Sequence, residues 1–395
     1  MTHCKICENT DATVLDRRGP VPIAQNLILP TSEAARHCPA GELDMRRCTA
    51  CGFVWNAAFD SNLMVYDAAY DNDQNFSVRF QQHTAEVAAR IADRIGDQGA
   101  INLVEVGCGQ GTFMAVMGER FGARLSSAIG FDPAWQGDTR HLPPGGEVRG
   151  TYFGDGSIRD DDPTPNLVIS RHVIEHVPDP IAFLRAIRAG IPEGTPVFIE
   201  TPDIDWVLRG GVFFDFYYEH CSLFAQSTLA FALERAGFIV DDVRPIFDDQ
   251  YQLAMATAGP LDRAPAPMPA PGTFDDLGFR HKRAAYIAGL AATIDSLGPR
   301  GSVALWGGAS KGVTICLTLP HAAERLSCVI DINSRKQGCY LPTSAIPILS
   351  PKAAVATGIR HAIVINPAYL DEIRKDVADL GVDLTIHSIA ESVTV

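Results

Sequence analysis

The chain is short of positive charge, and it lacks both a long apolar run and a phosphate-binding P-loop. Its 395 residues include 33 Lys or Arg against 47 Asp or Glu, a formal net charge of −14. That balance argues against nucleic acid as a partner, because such binding rests on neutralising phosphates. No apolar stretch reaches the 18 or so residues of a membrane helix, so no membrane span is expected. The opening "MTHCKICENT" lacks the apolar core of a signal peptide, and the cytoplasm is the expected compartment. Without the P-loop spacing, a nucleotide hydrolase is a poor reading.

What is present points to packed domains. Hydrophobic residues make up 46% of the chain, and the length suits two or three domains. There are ten cysteines, of which four form two Cys-x-x-Cys pairs: Cys4 with Cys7, and Cys48 with Cys51. In a reducing compartment such pairs read as metal ligands rather than disulfides. Each pair can clasp one side of a tetrahedral zinc ion, and Gly52 supplies the residue that a tight turn wants. Four thiolates leave no open position for a substrate, so the zinc is expected to be structural. His3 and His37 are alternative ligands that two complete pairs make unnecessary, and Cys38 reads as a bystander. After Cys51 comes an aromatic-bearing segment with Tyr70, Asn75 and Phe76, read as a linker packing on its neighbour.

"INLVEVGCGQGTFMAVMGERFG" reads as a buried strand, a glycine turn and a helix. Gly107, Gly109 and Gly111 allow close backbone approach at the turn. A lone glycine pattern is weak, since dinucleotide sites use a related turn. Glu105, on the strand before it, would serve a pyrophosphate poorly but suits a cationic methionine-like donor. The pattern resembles the first motif of class I S-adenosylmethionine-dependent methyltransferases. On that reading Asp132, ending the next strand, accepts the ribose hydroxyls. Asp155 is the candidate for the adenine amino group. Arg171, in the loop after the fourth strand, is a candidate on the donor side, and His176, at the rim of the crevice, is a candidate catalytic residue. His172 and His176 are four apart and could share a helical face.

The stretch "WVLRGGVFFDFYYEHCSLF" is an insertion at the rim, where acceptor sites are commonly covered. It brings Tyr217, Glu219 and His220 within plausible reach of the donor methyl. Packing of a lid is the competing reading for Tyr217 and Glu219. A proline-rich linker, 260–275, follows, and then a second strand–glycine turn–helix, "SVALWGGASKGVTICLTL". Its Lys311, with Asp331 and Lys336 beyond, could meet phosphate or a sugar nucleotide.

Together the cysteine pairs, the donor motif, the "FYYEHC" block and the C-terminal glycine turn resemble the zinc-containing sugar C-methyltransferases. These enzymes belong to deoxysugar pathways of antibiotic biosynthesis. The resemblance implies an α/β fold: a class I, Rossmann-like core with an N-terminal zinc domain and a C-terminal α/β domain. The expected limits are 1–65 for zinc binding and 66–259 for the methyltransferase domain, with its acceptor insertion near 204–224. The last domain is expected over 276–395. The resemblance also implies S-adenosyl-L-methionine and structural zinc as cofactors, and His220 as the base that generates an enolate. Tyr217 would hold the enolate oxygen, and Glu219 would orient His220 or contact the acceptor. The partner would be a small-molecule acceptor, a nucleotide-linked keto sugar being the candidate. Tyr218 stands where that family commonly has histidine, and "PTSAIPI" where it has a glycine–threonine turn. O- or N-methylation, or a non-sugar acceptor, remains the alternative on the same scaffold. The oligomeric state is not legible.

Overall fold

The computed structural model describes residues 3–64, 76–97, 99–264, 266–268 and 274–392. Tyr70 and Asn75 lie outside this set. Among the described residues three sheets organise the fold. The first begins with strand β1 (Ala12–Pro22), helix α1 (Ser32–Arg36), and strands β2 (Ala40–Cys48) and β3 (Val54–Asn56), paired antiparallel in that order.

Helix α2 (Val78–Ile95) leads into the second sheet. Ser77 caps it by accepting the N–H of Phe80, and Phe80, Val87, Ile91 and Ile95 bury one face at helical spacing. A second cap comes from far along the chain. Glu372 accepts the Ser77 hydroxyl at 2.7 Å and the Val78 N–H at 2.8 Å, placing a carboxylate at the positive end of the helix.

Strand β4 (Ile101–Val106), helix α3 (Thr112–Phe121), and strands β5 (Leu125–Phe131), β6 (Gly146–Arg149) and β7 (Leu167–Arg171) follow. Helix α4 (Pro180–Ala189), strand β8 (Pro196–Pro202), helix α5 (Ile204–Gly210) and the short strand β9 (Ser222–Leu223) come next. Helix α6 (Gln226–Arg235) and the hairpin β10 (Phe238–Ile246) and β11 (Tyr251–Ala258) complete this part. The seven strands run in the order β10-β11-β8-β7-β4-β5-β6. All neighbours are parallel except around β11, which is antiparallel to both β8 and β10. One reversed strand, inserted next to the edge strand of an otherwise parallel sheet, is the layout of the class I methyltransferase core.

Helix α7 (Asp276–Leu297) leads to the third sheet, a five-stranded parallel layer. It contains β12 (Val303–Trp306), helices α8 (Ser310–Thr318) and α9 (Ala322–Arg325), β13 (Leu326–Ile330) and β14 (Ile348–Leu349). Helix α10 (Pro351–Ala356), β15 (His361–Val364), α11 (Leu370–Leu380) and β16 (Thr385–Ser388) end it.

The expected insertion is not a lid standing free above the sheet. Its β9 joins the edge of the first sheet, with Val54 opposite Leu223 and Trp55 opposite Ser222. One apolar cluster then runs through Leu43, Val54, Phe213, Phe216, Phe279 and Val303, crossing all three parts of the chain. Full burial of each Phe contributes about 1.5–3 kcal/mol. Tyr218 is fully buried, accepts the Asp60 N–H at 2.9 Å and lies against Gly41. A Cβ at Gly41 would stand 2.5 Å from that ring. Gly41→Ala should therefore cost about 1–3 kcal/mol by overpacking, read as a lower midpoint in thermal unfolding; an unchanged midpoint would show that the tyrosine gives way.

Candidate active site

Two cavities meet at one pair of histidines. The first, of about 750 Å³, lies at the carboxyl ends of the parallel strands and is lined by Glu105, Gly107, Gly109, Asp132, Arg171 and His176 among others. Gly107 must be glycine: its φ is +75°, and a Cβ there would stand 2.0 Å from Val173. Asp132 accepts the Gly109 N–H at 2.8 Å through one oxygen and the Ala134 N–H at 2.8 Å through the other. It thus fixes the glycine turn and still has lone pairs for hydroxyl donors.

Glu105 is buried, and one of its carboxylate oxygens has no hydrogen-bond partner among the described residues. Burial pushes its carboxyl up to about 8, against the pull of Arg171. An orphaned acid in a cavity fits a cationic ligand, so the residues present suit S-adenosylmethionine.

The second cavity, of about 260 Å³, opens between the methyltransferase sheet and the third sheet. His172 and His176 line both cavities. Tyr217 and His220 line the second, together with Asp215, Lys311 and Tyr251. The rings of His176 and His220 meet edge to face at 4.8 Å, and those of Tyr217 and His220 at 4.7 Å.

The two kinds of histidine differ in charge. Burial would lower His172, but Glu200 and Glu175 overcome it and raise the imidazole to about 9. His172 sits at φ 54°, in the left-handed region, 3.2 Å from Glu200 and 3.4 Å from Glu175. Burial resists ionisation of Glu200, yet Arg171 and His172 hold its carboxyl well below the usual range. His220 is driven well below the usual imidazole value by burial first, and then by the neighbouring His176, His172 and Lys311. His176 is lowered too, chiefly by burial. A cationic His172 thus sits beside a neutral His176 and His220.

The four N-terminal cysteines converge. Their sulfurs lie within 4.8 Å of one another, with Cys4–Cys51 and Cys7–Cys48 both at 3.5 Å. A tetrahedral zinc ion with bonds of about 2.3 Å sets its sulfurs about 3.8 Å apart. The N–H groups of Ala50 and Cys51 point at Cys48 Sγ, at 3.4 and 3.5 Å. Hydrogen bonding among the thiols drives Cys48 far below the thiol range and Cys4 and Cys51 far above it. The set fits a structural divalent ion, which would let the remaining thiols ionise.

Comparison with known proteins agrees with this geometry. Residues 80–243 match a family described as a methyltransferase domain, and residues 277–383 match the C-methyltransferase C-terminal domain. The chain is an S-adenosylmethionine-dependent methyltransferase that carries a C-methyltransferase C-terminal domain. The curated C-methyltransferase NovU of Streptomyces niveus is 24% identical over 403 residues, spanning 94% of this chain and 91% of that protein. Among solved structures, a putative S-adenosylmethionine-dependent methyltransferase from Listeria monocytogenes is 12% identical. It covers 46% of this chain and 100% of its own, with a TM-score of 0.36. An O-methyltransferase family protein from Burkholderia thailandensis is 16% identical, covering 48% and 62%, with a TM-score of 0.36. Overlaps this partial carry no argument by themselves.

Within this methyltransferase, several expected residues fall elsewhere. Asp155 is exposed and does not line the donor cavity, whose wall there is Thr151, Tyr152 and Phe153. Gly111 does not line it either; its φ of +79° starts α3, and a Cβ would strike Leu142. Glu219 is buried and accepts the Gln25 N–H at 3.1 Å, and it is not among the residues lining the second cavity. The expected orienting acid therefore serves a loop of the first sheet. His172 and His176 share no helical face, because only the single 3-10 turn Ile174–His176 forms there. Cys38 and His37 stand apart from the thiol cluster, bonded to Thr343 and to the Glu33 carbonyl. Cys221 is buried with its thiol pushed up to about 12, chiefly by burial, which makes it a poor nucleophile. Asp215 escaped sequence reading because its partner, Lys311, is remote in the chain. Among the described residues no helix is long and apolar enough to cross a membrane.

Two outcomes are expected. Cys48→Ser should lose bound zinc, measured by elemental analysis, and unfold at lower temperature; a variant that keeps both would refute the ligand set. Below about 8 the Glu105 carboxyl carries its proton, whereas a bound cation favours the carboxylate. Affinity for S-adenosylmethionine in calorimetry should therefore rise with pH towards 8 and then level. Glu105→Gln should flatten that rise and weaken binding roughly tenfold.

Proposed function

We propose that the protein methylates a carbon next to a ketone on a nucleotide-linked deoxysugar, with His220 as the general base. The observation that carries this reading is the His220 imidazole in the second cavity, its ring against that of His176, which also borders the donor cavity; burial lowers its affinity for a proton. S-adenosylmethionine, when bound, supplies a methyl group on a sulfonium that leaves as the neutral thioether.

His220 takes the proton from the carbon alpha to the ketone, and the electron pair of that bond becomes the enolate. A base that is neutral at working pH can accept this proton directly. His172, cationic up to about 9, favours the negative charge that develops on the enolate. Burial, and then Asp215, push the Tyr217 hydroxyl well above its usual value. It therefore keeps its proton and donates it in a hydrogen bond, to Asp215 at 2.5 Å. Glu105 and Arg171 belong to the donor side, and Asp132 to the ribose. The third domain would meet the acceptor at the glycine turn after β12, where Gly307 and Ser310 line the cavity, and at Lys336 in the segment after β13. The N–H groups of Gly307 and Gly308 are already given to the Ile330 carbonyl and the Asp331 carboxylate, so the phosphates of a nucleotide would rely on the Lys336 ammonium, which Asn26 holds at 3.0 Å. The composite wall, drawn from both α/β domains, favours an acceptor longer than a lone sugar.

The test is mass spectrometry of reactions with S-adenosylmethionine and a panel of nucleotide-linked 4-keto deoxysugars in deuterated buffer. A gain of one methyl, with deuterium entering the neighbouring carbon, supports the enolate route. His220→Ala should abolish both while leaving donor affinity nearly intact. A methylated hydroxyl or amine would shift the reading to heteroatom transfer, and turnover by the alanine variant would remove His220 from the mechanism.

A further inference from the structure

His220 presents a problem of orientation. Its Nδ1 is buried and has no hydrogen-bond partner among the described residues. A catalytic imidazole is ordinarily oriented through that second nitrogen. The expected candidate, Glu219, is engaged with Gln25. What surrounds His220 instead is aromatic: the ring of His176 on one side and that of Tyr217 on another, both edge to face within 5 Å.

Tyr217 is itself tethered. Its hydroxyl donates to Asp215 Oδ1 at 2.5 Å, while Lys311 Nζ donates to the two oxygens of the same carboxylate at 2.7 and 2.6 Å. Lys311 lies in the first turn of α8, in the third domain, and its ammonium also stands 5.1 Å from the centre of the Trp206 ring. The lysine of the glycine turn is thus committed to a carboxylate of the methyltransferase domain.

We propose that Lys311 is a positioning residue: through Asp215 it fixes the ring of Tyr217, and through that ring the plane of His220. The third domain thereby completes the catalytic geometry of the second. This rests on His220 acting as the base. A misplaced imidazole is costly, since small displacements of a reacting group reduce rates by large factors. Pairing also removes a second difficulty. A lone Asp215 carboxylate beside the acceptor cavity would repel an enolate, and the ammonium cancels that charge.

Charge gives the proposal a signature that packing alone would lack. The groups facing His220 are His172, Glu175 and His176 from the turn after β7, Tyr217 and Asp215 from its own segment, Tyr251 from β11 and Lys311 from α8. Of these, Lys311 is one of the cations that disfavour protonated His220. Lys311→Gln removes that cation and leaves Asp215 uncompensated, so the imidazole should titrate at higher pH. Asp215→Asn leaves the ammonium uncompensated and should move it the other way.

The full zinc-loaded chain, carrying S-adenosylhomocysteine, is titrated by NMR with labelled histidine, the His220 signal being assigned by its loss in His220→Asn. The expected result is an upward shift of about half a unit in Lys311→Gln and none upward in Asp215→Asn. On whichever keto sugar of the panel is turned over, Lys311→Gln should lower kcat roughly tenfold or more, with unchanged affinity for S-adenosylhomocysteine. Lys311→Arg should recover most of the rate. A His220 titration identical in Lys311→Gln and wild type, or full kcat in that variant, overturns the proposal. Failure of the wild type on every keto sugar would sink the proposed function, and ring-to-ring nuclear Overhauser contacts between Tyr217 and His220 that survive unchanged in Lys311→Gln would overturn the positioning role.

Discussion

The pairing of β9 with β3 is the constraint on which the site depends. The segment between α5 and α6 carries Asp215, Tyr217 and His220, and β9 follows them at once. Without the ladder from Val54 and Trp55 to Ser222 and Leu223, this segment would keep its apolar packing and side-chain bonds such as Asp215–Lys311 and Tyr218–Asp60 but lose its backbone pairing. A segment without such pairing samples more conformations, and ordering each residue costs about 1–2 kcal/mol. The ladder meets that cost with backbone hydrogen bonds and a shared core.

The same pairing ties the metal clip to catalysis. Cys48 ends β2, and Cys51 lies in the turn before β3. The thiol cluster therefore sets the hairpin, the hairpin presents the edge of β3, and that edge holds the segment ending in His220. A zinc ion there would touch no substrate and yet act on the site through the hairpin and the β3–β9 ladder. Cys4, Cys48, Cys51, Phe53 and Trp55 also share an apolar cluster with Phe224 and Leu229, so the clip and the start of α6 are packed as one body.

Much of this was legible in the residues. The two Cys-x-x-Cys pairs, the glycine turn with its preceding acid, and the alternation of strands and helices are local patterns, and local patterns survive folding. His176, Tyr217 and His220 were legible as a group because the strand ends of such a sheet share one rim. What escaped was long-range. Asp215 looked like one polar residue among phenylalanines, and Lys311 like a phosphate ligand of a glycine turn. Only the docking of α8 against the Phe213–Asp215 turn makes them partners. Glu219 misled for the opposite reason: adjacency to His220 suggested cooperation, but neighbouring side chains in an extended segment point to opposite faces. Asp155 misled because the loop after β6 turns it outward and gives the cavity wall to Phe153 and its neighbours.

The cap that Glu372 provides to α2 has a consequence for how such a chain can change. One helix start in the methyltransferase domain is completed by an acid near the beginning of α11, and Lys311 reaches back in the same direction. The third domain is therefore not an interchangeable module. A chimera that swaps it for a relative's would have to carry matching groups at two separate points, or lose a helix cap and gain an uncompensated acid beside the acceptor. Drift in acceptor preference should then proceed by substitutions within one lineage of paired domains, with recombination at the proline-rich linker strongly disfavoured.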